Sequence, residues 1–463
     1  MRTRRAFWLI LTLSMAAAFG CSVFSVPVAP DAPEGDRVAT AVAATMAAAP
    51  TPVGATDVPT APASVSTDVP KGDVPEPTAP APGGLVTRSL SVAYLDAARN
   101  IWVWREGESP RQVTTSGDVL NVRISPDGQW LAFTRSAGMP RESLWMIRAD
   151  GSGERAVLDE AGFEGLPRDG SAITSKTYSF QWLPDSTTLA FNTMPVFDGL
   201  GLMLNNDLWL MDAEAGELRQ LLAPGGGGDF YPSPDGQQFA LVTPAAIHLI
   251  NIDGSNRRDN VLTYDPVSTY SEYQYYAFPQ WSPDSSYLRV FIPPPAALEA
   301  PEVPGTVWHI PTDGTPAREV ASMVTAPLMH GALSPDLNQV AYLSSVGDLS
   351  ENRRELRITT IDPASDSLYL TEVSLYFNGW AADSSQFAFT VGEGNRAYLG
   401  KVGESPQPLT DAVSAFEIQW VDASRFLFAV RSGSGFELRL GEVGEPSQLI
   451  GAMSDLPAFD FTR

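Results

Sequence analysis

The sequence has very little of the chemistry that most enzymes and metalloproteins use. Its 463 residues include one cysteine and three histidines, which excludes an internal disulfide and a cluster of metal-binding thiolates. Only 30 basic side chains stand against 54 acidic ones, for a net charge of −24. Such a surface repels phosphate backbones, so nucleic acid is excluded as a partner. No Gly-x-Ser-x-Gly elbow and no Asp-x-Asp-x-Asp-Gly calcium loop occurs. We therefore predict no catalytic residue, no metal site and no cofactor.

The apolar content, in contrast, is sufficient for a large core. Hydrophobic residues make up 44% of the chain and aromatic residues 10%, which excludes global disorder. The 39 prolines and 38 glycines are too many for an all-helical protein and follow no collagen period.

The N-terminus has the features of a secretory signal. A basic head at residues 1–5 precedes an apolar run of 15 residues, 6–20, and then Cys21. As a helix this run would span about 22 Å, short of the ~30 Å of a bilayer core. The tetrad Ala-Phe-Gly-Cys at 18–21 resembles a bacterial lipobox, which implies that Cys21 is acylated and becomes the mature N-terminus. The alternative is an ordinary signal with a chance cysteine. The basic head leaves twin-arginine export open beside general secretory export.

Residues 22–88 are predicted to be a tether. They contain 12 prolines, 14 alanines and a single aromatic residue, Phe24, too little apolar surface to offset the entropy of ordering. The prolines favour extended conformations, with a reach of roughly 45 Å as a coil and ~200 Å when fully extended. We expect residues 1–21 to be the signal peptide and 89–463 the folded domain, anchored to the outer side of the cell membrane by acyl chains.

From residue 89 onward the chain repeats a turn motif followed by an apolar strand. The clearest copy is Ser-Pro-Asp-Gly at 125–128, followed by Trp-Leu-Ala-Phe at 130–133. Proline presets the backbone of the turn and aspartate bonds the backbone ahead of it. The motif aspartates are spaced 58, 50, 49, 52 and 47 residues apart, a length that four short strands and four turns fill. In chain order they are Asp127, Asp185, Asp235, Asp284, Asp336 and Asp383, with a weaker seventh copy at Asp422.

Each copy also contains a third strand, such as residues 144–147, and an Asp-Gly pair, such as 150–151, that closes a hairpin into a fourth. Repeated units of four antiparallel strands are typical of a β-propeller. The Ser-Pro-Asp-Gly tetrad resembles the WD-like repeat of TolB-type propellers and of the propeller in prolyl oligopeptidase relatives. This resemblance covers residues 89–463, implies an all-β fold and is almost uninformative about function. One repeat position holds tryptophans that we interpret as packing residues of the blades rather than a ligand cage, namely Trp182, Trp281 and Trp380.

We predict a single propeller of eight four-stranded blades. The segment 92–94 is an eighth copy of the second strand, but that first unit lacks its innermost strand. The C-terminal segment 456–462 has the pattern to supply it, so the N- and C-terminal strands would share one blade and close the ring. Seven blades are the alternative, because the unit around Asp422 is short and irregular.

Alternating strand directions give the predicted ring two different faces. Turns between the first and second strands, and between the third and fourth, share one face and are tight. Loops between the second and third strands, and links between blades, share the other. This second class carries the long insertions, at 160–178, 194–206, 259–277, 292–305 and 345–354. Long loops on a rigid scaffold are where binding concentrates.

One insertion is rich in tyrosine, which offers contact area and a polar tip at low entropic cost. His330 lies near the start of an innermost strand and is a candidate for the channel mouth, whereas His248 and His309 fall at packing positions of third strands. The predicted partner-binding residues are Tyr264, Tyr270, Tyr273, Tyr275, Tyr276 and His330. The alternative is that several of these rings pack between blades. The run 225–228, four glycines, is predicted to be a flexible link between blades.

The sequence thus predicts an exported, lipid-anchored, non-catalytic and monomeric propeller that binds an envelope protein or a glycan through its long-loop side. The alternative is a propeller enzyme, of lactonase or lyase type, with a site in the channel. A third possibility is a load-bearing component of an envelope complex.

Overall fold

The structure, a computed structural model, describes residues 89–462 except 139, 168–170, 199–202, 270–272, 328, 393, 410–413 and 454–457. The predicted signal peptide and tether lie outside the described residues, so their boundaries remain predictions. Arg88–Arg463 form one unit by their internal contacts.

The described chain folds into eight four-stranded antiparallel sheets, which are the blades of a β-propeller. The prediction of an all-β fold with eight blades is confirmed. The seven-blade alternative is wrong, because the unit around Asp422 forms a complete sheet with three long outer strands. We number the blades in chain order, and blade 1 takes its innermost strand from the C-terminus.

Blades 1 to 4 contain the first fifteen strands and the last one. Their bounds are β1 Ser91–Leu95, β2 Ile101–Arg105, β3 Arg111–Gln112 and β32 Phe459–Phe461 in blade 1; β4 Val119–Ile124, β5 Trp130–Ser136, β6 Glu142–Arg148 and β7 Arg155–Leu158 in blade 2; β8 Thr174–Trp182, β9 Thr188–Val196, β10 Leu208–Asp212 and β11 Leu218–Leu222 in blade 3; β12 Asp229–Pro232, β13 Gln238–Thr243, β14 Ala246–Asn251 and β15 Arg258–Thr263 in blade 4. A one-and-a-half-turn helix, α1 (Glu160–Gly165), lies between blades 2 and 3.

Blades 5 to 8 contain sixteen strands in simple chain order. Their bounds are β16 Gln280–Trp281, β17 Tyr287–Ile292, β18 Gly305–Pro311 and β19 Arg318–Met323 in blade 5; β20 Ala332–Leu333, β21 Gln339–Ser345, β22 Arg353–Thr360 and β23 Ser365–Val373 in blade 6; β24 Tyr376–Trp380, β25 Phe387–Val391, β26 Arg396–Gly400 and β27 Gln407–Pro408 in blade 7; β28 Phe416–Trp420, β29 Arg425–Ser432, β30 Gly435–Glu442 and β31 Glu445–Met453 in blade 8. A 3₁₀ turn, Leu349–Glu351, precedes β22.

The repeated turn is held by its serine and aspartate. The Ser125 hydroxyl donates to Asp127 Oδ1 at 2.6 Å, and the same carboxylate accepts the Gln129 amide at 3.0 Å. Ser125 Oγ in turn accepts the Trp130 amide, which starts β5. Gly128 follows with φ of 72°, in the left-handed region that glycine adopts without steric cost. The repeat aspartates therefore act as predicted, by bonding the backbone of the turn.

The second strand of each blade is buried on both of its faces because neighbouring blades cover it. This is why β5 reads Trp-Leu-Ala-Phe without alternation, and these four side chains are at most 4% exposed. The repeat-position tryptophans are packing residues, as predicted, and they lie at the interfaces between blades. Trp281 Nε1 donates to the Tyr231 carbonyl of blade 4 at 2.9 Å, and Trp380 Nε1 donates to the Ala332 carbonyl of blade 6 at 2.9 Å.

Arginines near the start of the fourth strands tie blades 1, 2 and 3 each to the next blade. Arg111 Nη1 donates to the Asp150 carbonyl of blade 2 at 2.7 Å, and Arg155 Nη2 donates to the Ala213 carbonyl of blade 3. Arg219 repeats the arrangement toward blade 4 at 3.4 Å. These charge-assisted bonds lie on the side of the tight turns, because their acceptors belong to the turns between third and fourth strands.

The ring is closed by its two ends, as predicted. Val92 pairs with Phe461 and Tyr94 pairs with Phe459, so β32 is the innermost strand of blade 1. The Leu95 amide also donates to the Ala458 carbonyl at 3.0 Å. Noncovalent pairing of the termini thus completes blade 1.

Candidate functional site

The loops divide between two faces in the predicted way. Backbone bonds join links between blades to loops between second and third strands, as in Gly225 N to Asn205 O at 2.9 Å and Ser268 N to Pro295 O at 2.8 Å. We call the side formed by these two loop classes the long-loop face, and the opposite side the tight-turn face. The five insertions lie at 159–173, 197–207, 264–279, 293–304 and 346–352. All five are shorter than predicted because the adjoining strands extend into them.

Four of the ten large apolar side chains that are exposed in the described part of the chain lie in loops of the long-loop face. Ile173 is 52% exposed, Met203 51%, Val303 43% and Val324 40%. These four lie on insertions or links of blades 2 to 6. On the described part of the tight-turn face, the turns carry one such side chain, Val402, which is 50% exposed. The two faces therefore differ in chemistry as well as in loop length.

The predicted tyrosines are mostly packed between blades. Tyr275 is 8% exposed and belongs to the core cluster of blades 4 and 5, and half-buried Tyr264 and Tyr276 pack against that cluster. Tyr273 is also half-buried. Tyr270 lies outside the described residues. The alternative, that the rings pack between blades, thus describes Tyr264, Tyr275 and Tyr276. Partner binding by these tyrosines stays a prediction.

His330 stands beside this cluster, two residues before β20. Its ring stacks on Tyr275 with centroids 5.7 Å apart and meets the edge of Phe278 at 5.0 Å. The residue as a whole is nevertheless exposed at the surface. Desolvation by these neighbours lowers the pKa of His330, so the imidazole is neutral near pH 7.

The sequence interpretation missed the most unusual group of this region, Asp229. It is half-buried and opens β12, the innermost strand of blade 4. Among the described residues no donor forms a hydrogen bond or ion pair with its carboxylate, and burial raises the pKa of Asp229 to about 7. An acid shifted in this way and left without a partner is a candidate for function.

Three tyrosines lie close to the segment that carries Asp229, and we call this group with Asp229 the acid–tyrosine recess. Tyr231 follows Asp229 by two residues in β12, and Tyr264 donates to Thr243, which is next to the strand partner of Asp229, Val242. Tyr276 donates to Asn206, whose carbonyl also accepts the Gly227 amide. Burial first, and then the charge of Asp229, raise the pKa of Tyr231 well above its usual value and that of Tyr276 to about 12. The pKa of Tyr264 is raised mainly by burial, with a smaller contribution from the same carboxylate. All three hydroxyls therefore stay neutral near pH 7.

The hydroxyls of the recess donate away from the acid. Tyr264 donates to the Thr243 carbonyl at 2.7 Å, Tyr231 to the Ala277 carbonyl at 3.3 Å, and Tyr276 to an oxygen of Asn206 at 3.2 Å. These bonds join the link between blades 4 and 5 to strands of blade 4 and to a loop of blade 3. The recess therefore contains oxygen lone pairs and aromatic rings. None of these three hydroxyls donates a hydrogen bond to the Asp229 carboxylate.

The glycine run fixes the position of Asp229. A Cβ on Gly228 would lie 2.1 Å from the Val242 carbonyl oxygen, and one on Gly227 would lie 2.9 Å from the Asp207 carbonyl oxygen. The Gly227 amide donates to Asn206 at 2.6 Å, and the Gly228 carbonyl accepts from Asn192 at 3.1 Å. The run is the predicted link between blades, but it is packed where a flexible segment was expected. Four glycines directly before an acid were the signal that could have identified the recess.

A second desolvated acid, Glu417, lies in β28, the innermost strand of blade 8. Burial raises the pKa of Glu417, and its φ is 50° within a bulge of the strand. In the neighbouring innermost strand, Asn378 occupies another bulge, and its Oδ1 is buried without a hydrogen bond. Blades 4 and 8 are opposite each other in a ring of eight, so Glu417 and Asp229 do not share one site.

The other two histidines lie in third strands, as predicted. His248 Nδ1 accepts the Asn260 amide at 3.1 Å, and His309 packs on Tyr287 with centroids 4.5 Å apart. Over the described ranges, no group of three or more His, Cys, Asp and Glu side chains is placed to hold a metal ion. In the same part of the chain, no helix has the length and apolarity of a membrane span. Cys21 lies outside the described residues.

In comparisons with known proteins, this chain resembles others in its fold. No protein-family model matches the sequence, and no curated protein matches it. The similar solved structures include TolB from Acinetobacter baumannii, at 16% identity and a TM-score of 0.31, with 60% of this chain aligned to 63% of that one. The aligned region is thus less than two thirds of TolB.

Two further similar structures are oligogalacturonate lyases. One, in complex with manganese, is 16% identical with a TM-score of 0.44 and covers 75% of this chain and 83% of its own. The other, from Vibrio parahaemolyticus, is 16% identical with a TM-score of 0.46 and covers 67% and 85%. TolB propellers are therefore among the structural neighbours, as the repeat motif predicted. Values this low carry no argument about activity, substrate or partner.

Proposed function

We propose that this protein is an exported, lipid-anchored β-propeller that binds a protein of the cell envelope through its long-loop face and catalyses no reaction. The observation that carries the proposal is the set of exposed apolar side chains on that face: Ile173, Met203, Val303 and Val324. Large exposed apolar groups beside aromatic loops are characteristic of protein interaction sites. A glycan is the weaker candidate, because these side chains are aliphatic.

The anchoring part of the proposal rests on the sequence. A single cysteine follows a basic head and an apolar run that is too short to span a bilayer. A proline-rich tether after this cysteine would let the ring reach partners away from the lipid. The net charge of −24 disfavours binding to nucleic acid. It also favours a soluble, monomeric propeller domain, because like-charged surfaces repel each other.

The anchoring proposal predicts the effect of Cys21→Ser. Serine cannot form the thioether to which the acyl chains are attached, so the variant should move from the membrane fraction to the soluble exported fraction. Incorporation of labelled fatty acid should be lost as well, and Ser22→Ala is the neighbouring control that should keep both. Unchanged fractionation of Cys21→Ser would show that residues 1–21 are an ordinary signal with a chance cysteine.

The partner proposal predicts the effect of charges on the long-loop face. The double variant Ile173→Asp with Met203→Asp should reduce recovery of cross-linked partner by about tenfold or more, because an interfacial charge costs at least ~1.4 kcal/mol. The measurement is cross-linking in intact cells followed by quantitative mass spectrometry. Val402→Asp, equally exposed on the tight-turn face, is the matched control. Equal recovery from the double variant and the control would refute the assignment of this face.

A further inference from the structure

The acid–tyrosine recess contains a charge that the protein does not neutralise. Asp229 has no hydrogen-bond or ion-pair partner among the described residues. Arg257 approaches the same link, but it donates to the Gly226 carbonyl at 2.5 Å and to Asp259 at 2.7 Å. A half-buried carboxylate without a counter-ion is costly, so either a proton or a cationic ligand must compensate it.

The surroundings of the carboxylate select the kind of ligand. The hydroxyl hydrogens of Tyr231, Tyr264 and Tyr276 are used in bonds to other acceptors. The Tyr264 oxygen also accepts the Ala277 amide, so the lone pairs of Tyr231 and Tyr276 are the ones that a donor ligand would use. Their rings add faces that attract cations. A ligand that donates several hydrogen bonds and carries one positive charge is complementary to this set, as an ammonium group is.

A divalent metal ion fits the recess less well. Calcium takes six to eight oxygen ligands, and magnesium requires near-octahedral geometry from one or two carboxylates, several waters and, in many sites, phosphate oxygens. The described recess supplies one carboxylate, and its amide oxygen on Asn206 already accepts from Tyr276. Asp207, on the adjoining loop, is bonded to Thr193 and Trp209.

We propose that the acid–tyrosine recess is a binding site for an organic ammonium group, with Asp229 as the counter-ion and Tyr231, Tyr264 and Tyr276 as its aromatic wall. The ammonium group belongs to a lysine side chain of a partner or to a free amine. This inference rests on the proposed function only in placing the ligand on the long-loop face. Partner capture depends on Ile173 and Met203, so the two proposals can fail separately.

Protons compete with the ligand for Asp229. The tyrosines that face the acid keep their protons up to high pH, and burial sets the acid's own pKa at about 7. The deprotonated fraction of such a group increases about tenfold from pH 6 to pH 8. Affinity for an ammonium ion whose own charge is constant over this range should increase by the same factor.

The test is a ligand-observed NMR titration of the full-length chain with n-butylammonium and tetramethylammonium chloride. We expect saturable binding that strengthens about tenfold between pH 6 and pH 8 and weakens at least tenfold in Asp229→Asn. Glu417→Gln, which changes another desolvated acid of an innermost strand, should bind as the wild type does. Thermal melting verifies that each variant is folded.

Several results would overturn the proposal. They are absence of saturable binding, equal binding by Asp229→Asn, equal binding of neutral n-butanol, and stronger competition by calcium than by potassium at equal ionic strength. If the site is confirmed, comparison of Nα-acetyl-lysine amide with n-butylammonium identifies the source. Tighter binding of the lysine derivative indicates a partner's lysine, and tighter binding of n-butylammonium indicates a free amine.

Discussion

Replacing both Phe459 and Phe461 by alanine is expected to destabilise the ring by about 3–5 kcal/mol for each side chain. Phe459 is 6% exposed and Phe461 3% exposed, and both belong to the core cluster between blades 8 and 1 that includes Tyr94 and Leu438. The variant would also weaken the pairing of β32 with β1, which joins the two ends of the propeller. The measurement is the urea midpoint of the full-length chain, monitored by tryptophan fluorescence.

The control for this prediction comes from the same region. Leu449 lies on β31 of blade 8 and is 52% exposed, so Leu449→Ala should change stability by no more than about 0.5 kcal/mol. The strand has a polar contact as well, because Asp460 Oδ2 accepts the Ile124 amide of blade 2 at 2.9 Å. If the double variant unfolds at the same urea concentration as Leu449→Ala, β32 does not hold the ring closed.

Local signals explain why the architecture was predictable. A turn such as 125–128 encodes its own hydrogen bonds, since serine and aspartate lie within five residues of the amides they accept. The number of these turns predicts the number of blades. The missing innermost strand of blade 1 indicates that the C-terminal segment, which contains Phe459–Phe461, supplies the closing strand. The error in boundaries arose where strands run on into loops, as β9 does to Val196.

The recess was not predictable by the same reasoning. Its members come from loops and strands of three blades, and no spacing along the chain relates Asn206 to Asp229 or Tyr276. The tyrosines were found by their local density, but density cannot show that their hydroxyls donate away from a common acid. The bulges that carry Asn378 and Glu417 are likewise products of strand pairing. The alternative of an enzyme with a site in the channel therefore remains a prediction.

The variant Asp229→Asn is expected to stabilise the protein at alkaline pH. The pKa of Asp229 is raised from 3.8 to about 7 in the folded chain, so the folded state holds this proton more tightly than the unfolded state does. Stability from this group is fully present below the unfolded pKa and is lost as pH increases through the folded one. At about 1.4 kcal/mol per pKa unit the loss reaches up to about 4 kcal/mol. Asparagine should remove this loss, giving the variant its full advantage at pH 8 and almost none at pH 4.

The difference in urea midpoint between variant and wild type, measured at pH 4, 6 and 8, isolates Asp229. His330 has a lowered pKa and contributes the opposite slope at acid pH, but it is present in both proteins and cancels. Asp284→Asn is the control of opposite sign. Side-chain bonds from Ser282 and Ser286 lower the pKa of Asp284, so this variant should lose stability at neutral pH. If Asp229→Asn has the same pH profile as the wild type, the carboxylate is solvated and the recess lacks the uncompensated charge from which ammonium binding was inferred.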